Sequence, residues 1–282
     1  MTNVIMNNGM TATAAFKSQI NDLIQLTFGF SFEKWHKRNL WDDQYERYSI
    51  IDGDKIAANI SVFKVKLLIH GETRNFLQLG SVATREEYRG KGLARKIMEH
   101  IFELYPDTPM FLHANESVTE FYPRFGFKPF TYKQPYLKTG CLHGNGMIKL
   151  NLTDPKVDYY LKSRAQYSRI FDCLSPYSIN WFHLIYFHAD HLYELPGLDA
   201  MLIAEQRGNV LFIYDIIAAK NISISQVLPL LNFPGADTIE FGFTPDWLEA
   251  DYSMREMELD HPFIRGDFGV NGNFRMPELL LT

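Results

Sequence analysis

The order strand–turn–strand–helix–strand occurs twice along the chain, and this repeat limits the fold more than any other feature of the sequence. In the first copy, "YSIIDGDKIAANISVFKVKLLI" reads as a β-hairpin about Asp52-Gly53. His70-Gly71 makes the next turn, and "NFLQLGSVAT" is a further strand whose Gly80 suggests a bulge. A helix over Gly90–Tyr105 places Leu93, Ile97, Ile101 and Leu104 on one face, Pro106 stops it, and "MFLHAN" is a strand. In the second copy, "DAMLIAEQRGNVLFIYDII" turns at Arg207-Gly208-Asn209. "SISQVLPLLNF" is a helix capped by Ser223 or Ser225, and "DTIEFGF" is a strand. Internal duplication with one degenerate copy is the economical reading.

Around these units, an apolar stripe of Phe16, Ile20, Leu23, Ile24 and Leu26 predicts a helix over Thr13–Phe28. Ser117–Phe125 reads as a short helix, Lys133–Asn145 as a turn-rich connection and Pro155–Ile170 as a helix. The 282 residues suit two domains of ordinary size, divided here as 1–148 and 149–282. The formal net charge of −5 supplies no basic field for nucleic acid. No apolar run approaches the roughly 20 residues of a membrane helix. Met1–Met10 is polar and lacks the apolar core of a signal peptide. Cys141 and Cys173 read as free thiols, so the expected location is the cytoplasm. His183, His188 and His191 match no common zinc spacing, and no metal is expected.

The stretch "YRGKGLAR" (Tyr88–Arg95) carries the chemistry. A helix N-terminus holds partial positive charge and unpaired N–H groups. Glycines let the backbone close on an anion, and Arg89, Lys91 and Arg95 add charge. The local chemistry is that of a diphosphate site; the bland alternative is a solvated basic turn. A Walker loop is absent, and Arg95 stands where a dinucleotide fingerprint needs its third glycine.

Two signatures resemble the GNAT superfamily of acetyl-CoA-dependent N-acetyltransferases. Arg89, Gly92 and Ala94 fill its Arg/Gln-x-x-Gly-x-Gly/Ala pattern, and Asn115, Phe121, Tyr122, Gly126 and Phe127 fill the second, with Val118 where alanine is commoner. The likeness covers roughly residues 13–132. Val82–Gly92 also resembles a stretch of two-copy GNAT proteins of the Eis type. The resemblance implies an α/β (α+β) GNAT fold, a mixed sheet with flanking helices, followed by a second GNAT-like domain without a coenzyme signature.

It also implies a site. Acetyl-CoA is the co-substrate, bound in a V between the strand of Gly80–Thr84 and that of Met110–Asn115. Backbone at Val82, Ala83 and Thr84 pairs with the pantetheine arm. Arg89, Gly90, Lys91, Gly92, Leu93, Ala94 and Arg95 hold the diphosphate, and Asn115 bonds the pantetheine. The Val82 N–H stabilises the oxyanion, and Tyr122 protonates the leaving thiolate. The base is open: Glu33, Asp42, Asp43 and Glu46 are candidates, as is the carboxylate of Thr282. The acceptor is expected to be a small-molecule or peptide amine. The rings and acids of Phe30–Tyr48 suit a cation. His113 is expected to be a satisfied buried histidine. The second half is expected to shape the acceptor pocket or a homodimer interface. The alternatives are a non-catalytic acyl-CoA-binding module and transfer of a bulkier acyl group.

Overall fold

The computed structural model describes residues 4–8, 12–165, 167–174, 176–258, 261–270 and 272–281. The chain begins β1 (Val4–Asn8), α1 (Ala14–Phe28), α2 (Glu33–Lys37), β2 (Tyr45–Asp52), β3 (Lys55–Ile69) and β4 (Glu72–Thr84). Next come α3 (Leu93–Leu104), β5 (Met110–His113), β6 (Lys128–Pro129), β7 (Gln134–Lys138) and β8 (Leu142–His143). Then follow β9 (Ile148–Lys149), α4 (Pro155–Ser163), β10 (Phe171–Leu174), α5 (Tyr177–Tyr186), β11 (Leu192–Leu195) and β12 (Ala200–Arg207). The last elements are β13 (Val210–Ala218), α6 (Ile224–Val227), β14 (Asn232–Phe233), β15 (Thr238–Phe241), β16 (Ser253–Arg255) and β17 (Pro262–Arg265).

Local chemistry sets the element ends. The Thr13 hydroxyl accepts from the Phe16 N–H at 3.2 Å and starts α1. Gly29, at φ +79°, ends it in the left-handed region. Phe16, Ile20, Leu23 and Ile24 are buried, whereas Leu26, expected in the same stripe, is 71% exposed.

Two seven-strand paths share one design. The first sheet runs β1-β2-β3-β4-β5-β17-β6, with β10 added beside β3; the second runs β9-β11-β12-β13-β15-β7-β16. In each, a long antiparallel hairpin (β3–β4, β12–β13) leads through a helix (α3, α6) to a parallel strand (β5, β15). The next position in each sheet is filled from the other half. β17 lies antiparallel between β5 and β6, and β7 lies antiparallel between β15 and β16. The equivalence of the two paths supports duplication, and the exchange of strands ties the halves together. A small ribbon, β8–β14, stands apart.

Several expectations need correction. The bulge in β4 sits at Ser81–Val82, not Gly80: Asn59 faces Ala83 and Ser61 faces Gly80, and Ser81 takes φ +49°. α3 starts at Leu93 because Gly92, at φ +72°, turns the chain first. Ser117–Phe125 forms two 3₁₀ turns, Glu116–Val118 and Tyr122–Phe125, the second opened by Pro123. α6 gives way at Leu228 to a 3₁₀ turn containing Pro229, which cannot continue the α-helical ladder. The supposed connection Lys133–Asn145 contains β7 and β8.

The helix expected over Pro155–Ile170 stops at Ser163 because Arg164 is drawn inward. Its guanidinium lies between Asp172 on β10, at 3.5 Å, and Asp215 on β13. All three side chains are buried, so this triad joins a strand of the first sheet to one of the second.

Candidate active site

β4 and β5 pair only at Leu77–Met110 and Gln78–Phe111. Beyond that point β4 stays on β3 while β5 pairs with β17, His113 facing Pro262. The separating strands open a cavity of about 820 Å³. Leu79–Thr84 line one side, and Asn115, Ser117, Val118, Phe121 and Tyr122 line the other.

Asn59 holds the bulge. Its amide donates to the Ser81 carbonyl and the Ser61 hydroxyl, each at 3.1 Å, and accepts from the Ser49 hydroxyl at 2.9 Å. Ser61 also bonds the Tyr45 hydroxyl at 2.9 Å. This buried network fixes a backbone turn that a free strand would not keep, because left-handed φ at a non-glycine residue is costly.

The helix end differs sharply between the two halves. Gly90 and Gly92 both take positive φ (75° and 72°), and α3 has no side-chain cap, so its first N–H groups are open to a ligand. Arg89 and Ala94 line the cavity, while Gly90, Lys91, Gly92, Leu93 and Arg95 complete the turn just outside the lining. Lys91 lies over the Tyr88 ring at 4.7 Å, and Arg95 sits 3.6 Å from Glu99. At α6 a capping box occupies the N–H groups of Ser223 and Gln226.

The second sheet's matching cleft is filled as well. Past Ile213–Phe241 the gap beside Gly242 receives the C-terminal segment, with the Glu278 N–H bonded to the Gly242 carbonyl. A Cβ at Gly242 would lie 2.9 Å from the Glu278 Cβ, so the close approach requires glycine.

Tyr122 is buried against Phe121, Phe127 and Phe263, with ring centroids 5.3, 6.1 and 5.8 Å away. Burial pushes its phenol up to about 12, so it keeps its proton at neutral pH. Asn115 is exposed at the mouth of the cavity.

The expected bases are placed elsewhere. Glu33 pairs with Lys37 on the surface at 2.7 Å. Asp42 accepts from the Gln44 N–H. Glu46 is held by Lys64, Tyr48 and Tyr105 at 2.6 to 2.7 Å. None of these three, nor Asp43, lines the cavity. Thr282 lies outside the described residues.

His113 is not the fully satisfied histidine expected. Its Nε2 meets the Tyr132 hydroxyl at 3.2 Å, but Nδ1 has no partner, and the side chain lines the cavity. Burial, and secondarily the charge of Arg275, push it down to about 4, so it is neutral at pH 7. Gln78 is fully buried, also lines the cavity, and neither of its amide atoms has a partner. Both face the α1 side of the sheet, since Gln78 is paired with Phe111 and His113 lies two residues on.

The sequence reading missed Asn59 and Gln78, whose signal was an amide inside an otherwise apolar strand. It also named no wall residue from the second half. Ile179, Phe182 and Phe187 of α5 and the residue after it, with Leu281, close the cavity. Among the described residues no cluster of three His, Cys, Asp or Glu side chains could hold a metal ion. Within the same residues no helix is long and apolar enough to cross a membrane.

Residues 10–130 match the family model described as an acetyltransferase (GNAT) domain. An uncharacterized N-acetyltransferase of Shouchella clausii (strain KSM-K16) is 28% identical over 96 residues, 33% of this chain and 57% of that protein. The chain thus spans about half the length of the curated relatives it matches. A probable N-acyltransferase structure from Enterococcus faecalis V583 superposes with a TM-score of 0.59 at 15% identity, covering 94% of this chain and 72% of that one. Eis1 from Mycobacterium abscessus superposes with a TM-score of 0.58 at 12% identity, covering 94% and 73%. The likeness in fold to these structures therefore extends over nearly the whole chain.

Proposed function

We propose that this chain is a GNAT-type N-acyltransferase that moves an acetyl group from acetyl-CoA to a primary amine. Residues 1–148 would supply the coenzyme cleft, and 149–282 a companion half that walls the acceptor side. The observation that carries this reading is the β4–β5 cleft with an uncapped, glycine-flanked helix N-terminus at its mouth.

In this reading the diphosphate rests on the α3 N–H groups, with Arg89, Lys91 and Arg95 adding charge. The pantetheine arm lies along Val82–Thr84 as an added strand, and Asn115 bonds it from across the cleft. The amine nitrogen attacks the thioester carbon. The Val82 N–H, turned out of register by the bulge, donates to the oxyanion. Collapse breaks the C–S bond, with its electron pair going to sulfur. Tyr122 gives sulfur its proton, and the proton lost by the nitrogen restores the phenol. A phenol near 12 suits an acid that must stay protonated until the thiolate forms.

The test is release of free coenzyme A thiol from acetyl-CoA in the presence of a panel of amines. Release that depends on the amine and is lost in Gly92→Asp supports the proposal. Coenzyme binding without release for every amine would favour a non-catalytic acyl-CoA-binding module.

A further inference from the structure

We infer that the inner part of the cavity selects an acceptor that is an uncharged, weakly basic amine carried on an aromatic or other apolar body. This rests on the transferase reading above, but the chamber's chemistry is tested separately.

The chamber is a continuous wall of rings. Phe30 meets Phe32 and Phe182 at 5.5 and 6.2 Å; Phe32 meets Trp35 and Tyr45 at 5.9 and 6.3 Å. Tyr45 carries this wall to the β4 bulge through its bond to Ser61. Phe28 and Phe187 line the cavity and are also exposed, at 36% and 55%, so the entrance is apolar too.

Charge points the same way. Arg89, at the coenzyme end, is the sole Lys, Arg, Asp or Glu among the described residues lining the cavity. Behind the Tyr45 ring, 4.9 Å from its centroid, lies the fully buried Arg47 guanidinium, stacked also on Trp41 at 4.3 Å. Burial lowers it only to about 10, so it stays charged at neutral pH. An ammonium entering here would lose its hydration, find no carboxylate among the described lining residues and meet a positive charge through the ring. Ring faces attract cations, but this attraction is small against the desolvation of an unpaired charge. A neutral amine has no such penalty. The Gln78 amide and His113 Nδ1, both unpartnered and lining the cavity, offer it neutral hydrogen-bond partners.

The experiment is calorimetry on the full chain saturated with coenzyme A, using 2-naphthylamine and spermine as probes at pH 7.5. 2-Naphthylamine should bind at least roughly tenfold more tightly than spermine. Phe30→Ala should weaken it by a similar factor without changing coenzyme affinity. Phe187→Glu alters an exposed ring and so spares the fold. It should weaken 2-naphthylamine and strengthen spermine.

Spermine binding as tightly as 2-naphthylamine would overturn the inference, as would indifference of 2-naphthylamine to both substitutions. Octanoyl-CoA that bound more than tenfold tighter than acetyl-CoA and excluded 2-naphthylamine would assign the chamber to an acyl chain instead. Binding of 2-naphthylamine with no acetylation of any amine would count against the transferase reading and leave the chamber's selectivity standing.

Discussion

Phe263→Ala should destabilise the N-terminal half of the protein although the residue lies in the C-terminal part of the sequence. Phe263 is 5% exposed on β17, faces Leu112 on β5 and Pro129 on β6, and packs on Tyr122 at 5.8 Å. Truncating a buried phenylalanine to alanine costs about 3–5 kcal/mol, a transfer loss plus a cavity that neighbours only partly fill. Domains of ordinary stability unfold at about 5–15 kcal/mol, so the loss is a large share of the total. At 1.4 kcal/mol per decade it raises the open population by roughly two to three and a half orders of magnitude. Denaturant unfolding gives the stability change, and hydrogen exchange read by mass spectrometry gives its location. Faster exchange is expected in β5 and α3 as well as in β17. Faster exchange confined to residues after 148, with β5 and α3 unchanged, would refute the argument from strand exchange.

Tyr122→Phe should lower kcat by about 10²–10⁴-fold while leaving acetyl-CoA affinity nearly unchanged, because the ring packing stays and only the proton is lost; wild-type turnover would return Tyr122 to a packing role. Arg164→Met should cost about 3–5 kcal/mol in denaturant unfolding, since Asp172 and Asp215 are then buried without their cation. A loss under ~1 kcal/mol would mean that the aspartates were not held by that charge. Burial holds His183 down to about 3 and His188 and His113 to about 4, below the unfolded value near 6.5. Their contribution is complete above pH 6.5 and is lost as pH falls toward 4, because the unfolded chain binds more protons in that window. Asp172, pushed up by burial, works the other way: its contribution is lost as pH rises through its folded value. With three histidines against one aspartate, the melting temperature should drop between pH 7 and 5; a flat or rising profile would contradict this.

Local patterns in the sequence were enough to find the hairpins, the glycine turn before α3 and the duplicated order, because turn residues and apolar periodicity act within a few positions. The exchange of β7 and β17 was not legible. Which sheet a short strand joins depends on which edge is open after the longer strands have paired, and "PFIR" or "QPYLK" carries no mark of that. The site divided in the same way. Arg89 and Gly92 stood out by the chemistry of a basic glycine turn, and Asn115 and Tyr122 by resemblance to a family signature, whereas Phe182, Phe187 and Leu281 reach the cavity only once α5 and the C-terminal segment pack on the first sheet. The acids of Phe30–Tyr48 misled for a physical reason. Glu46 is spent on Lys64 and two tyrosines, and Asp42 on a turn N–H, so composition near a site did not become charge within it.

Calorimetric titration of the full chain with acetyl-CoA counts its coenzyme sites, of which we propose a single one at the β4–β5 cleft. Nothing lies within 4 Å of a Cβ built at Gly92, but its φ of +72° strains any L side chain, so Gly92→Asp sets a carboxylate against the diphosphate at a cost of roughly 1–2 kcal/mol in stability. Saturation at one equivalent per chain is expected for the wild type, and little or no binding for Gly92→Asp at temperatures where its unfolding midpoint, lowered by the strained turn, still leaves it folded. A second equivalent lost on mutating the Lys220–Ser225 turn, or undiminished binding by Gly92→Asp, would contradict the proposal.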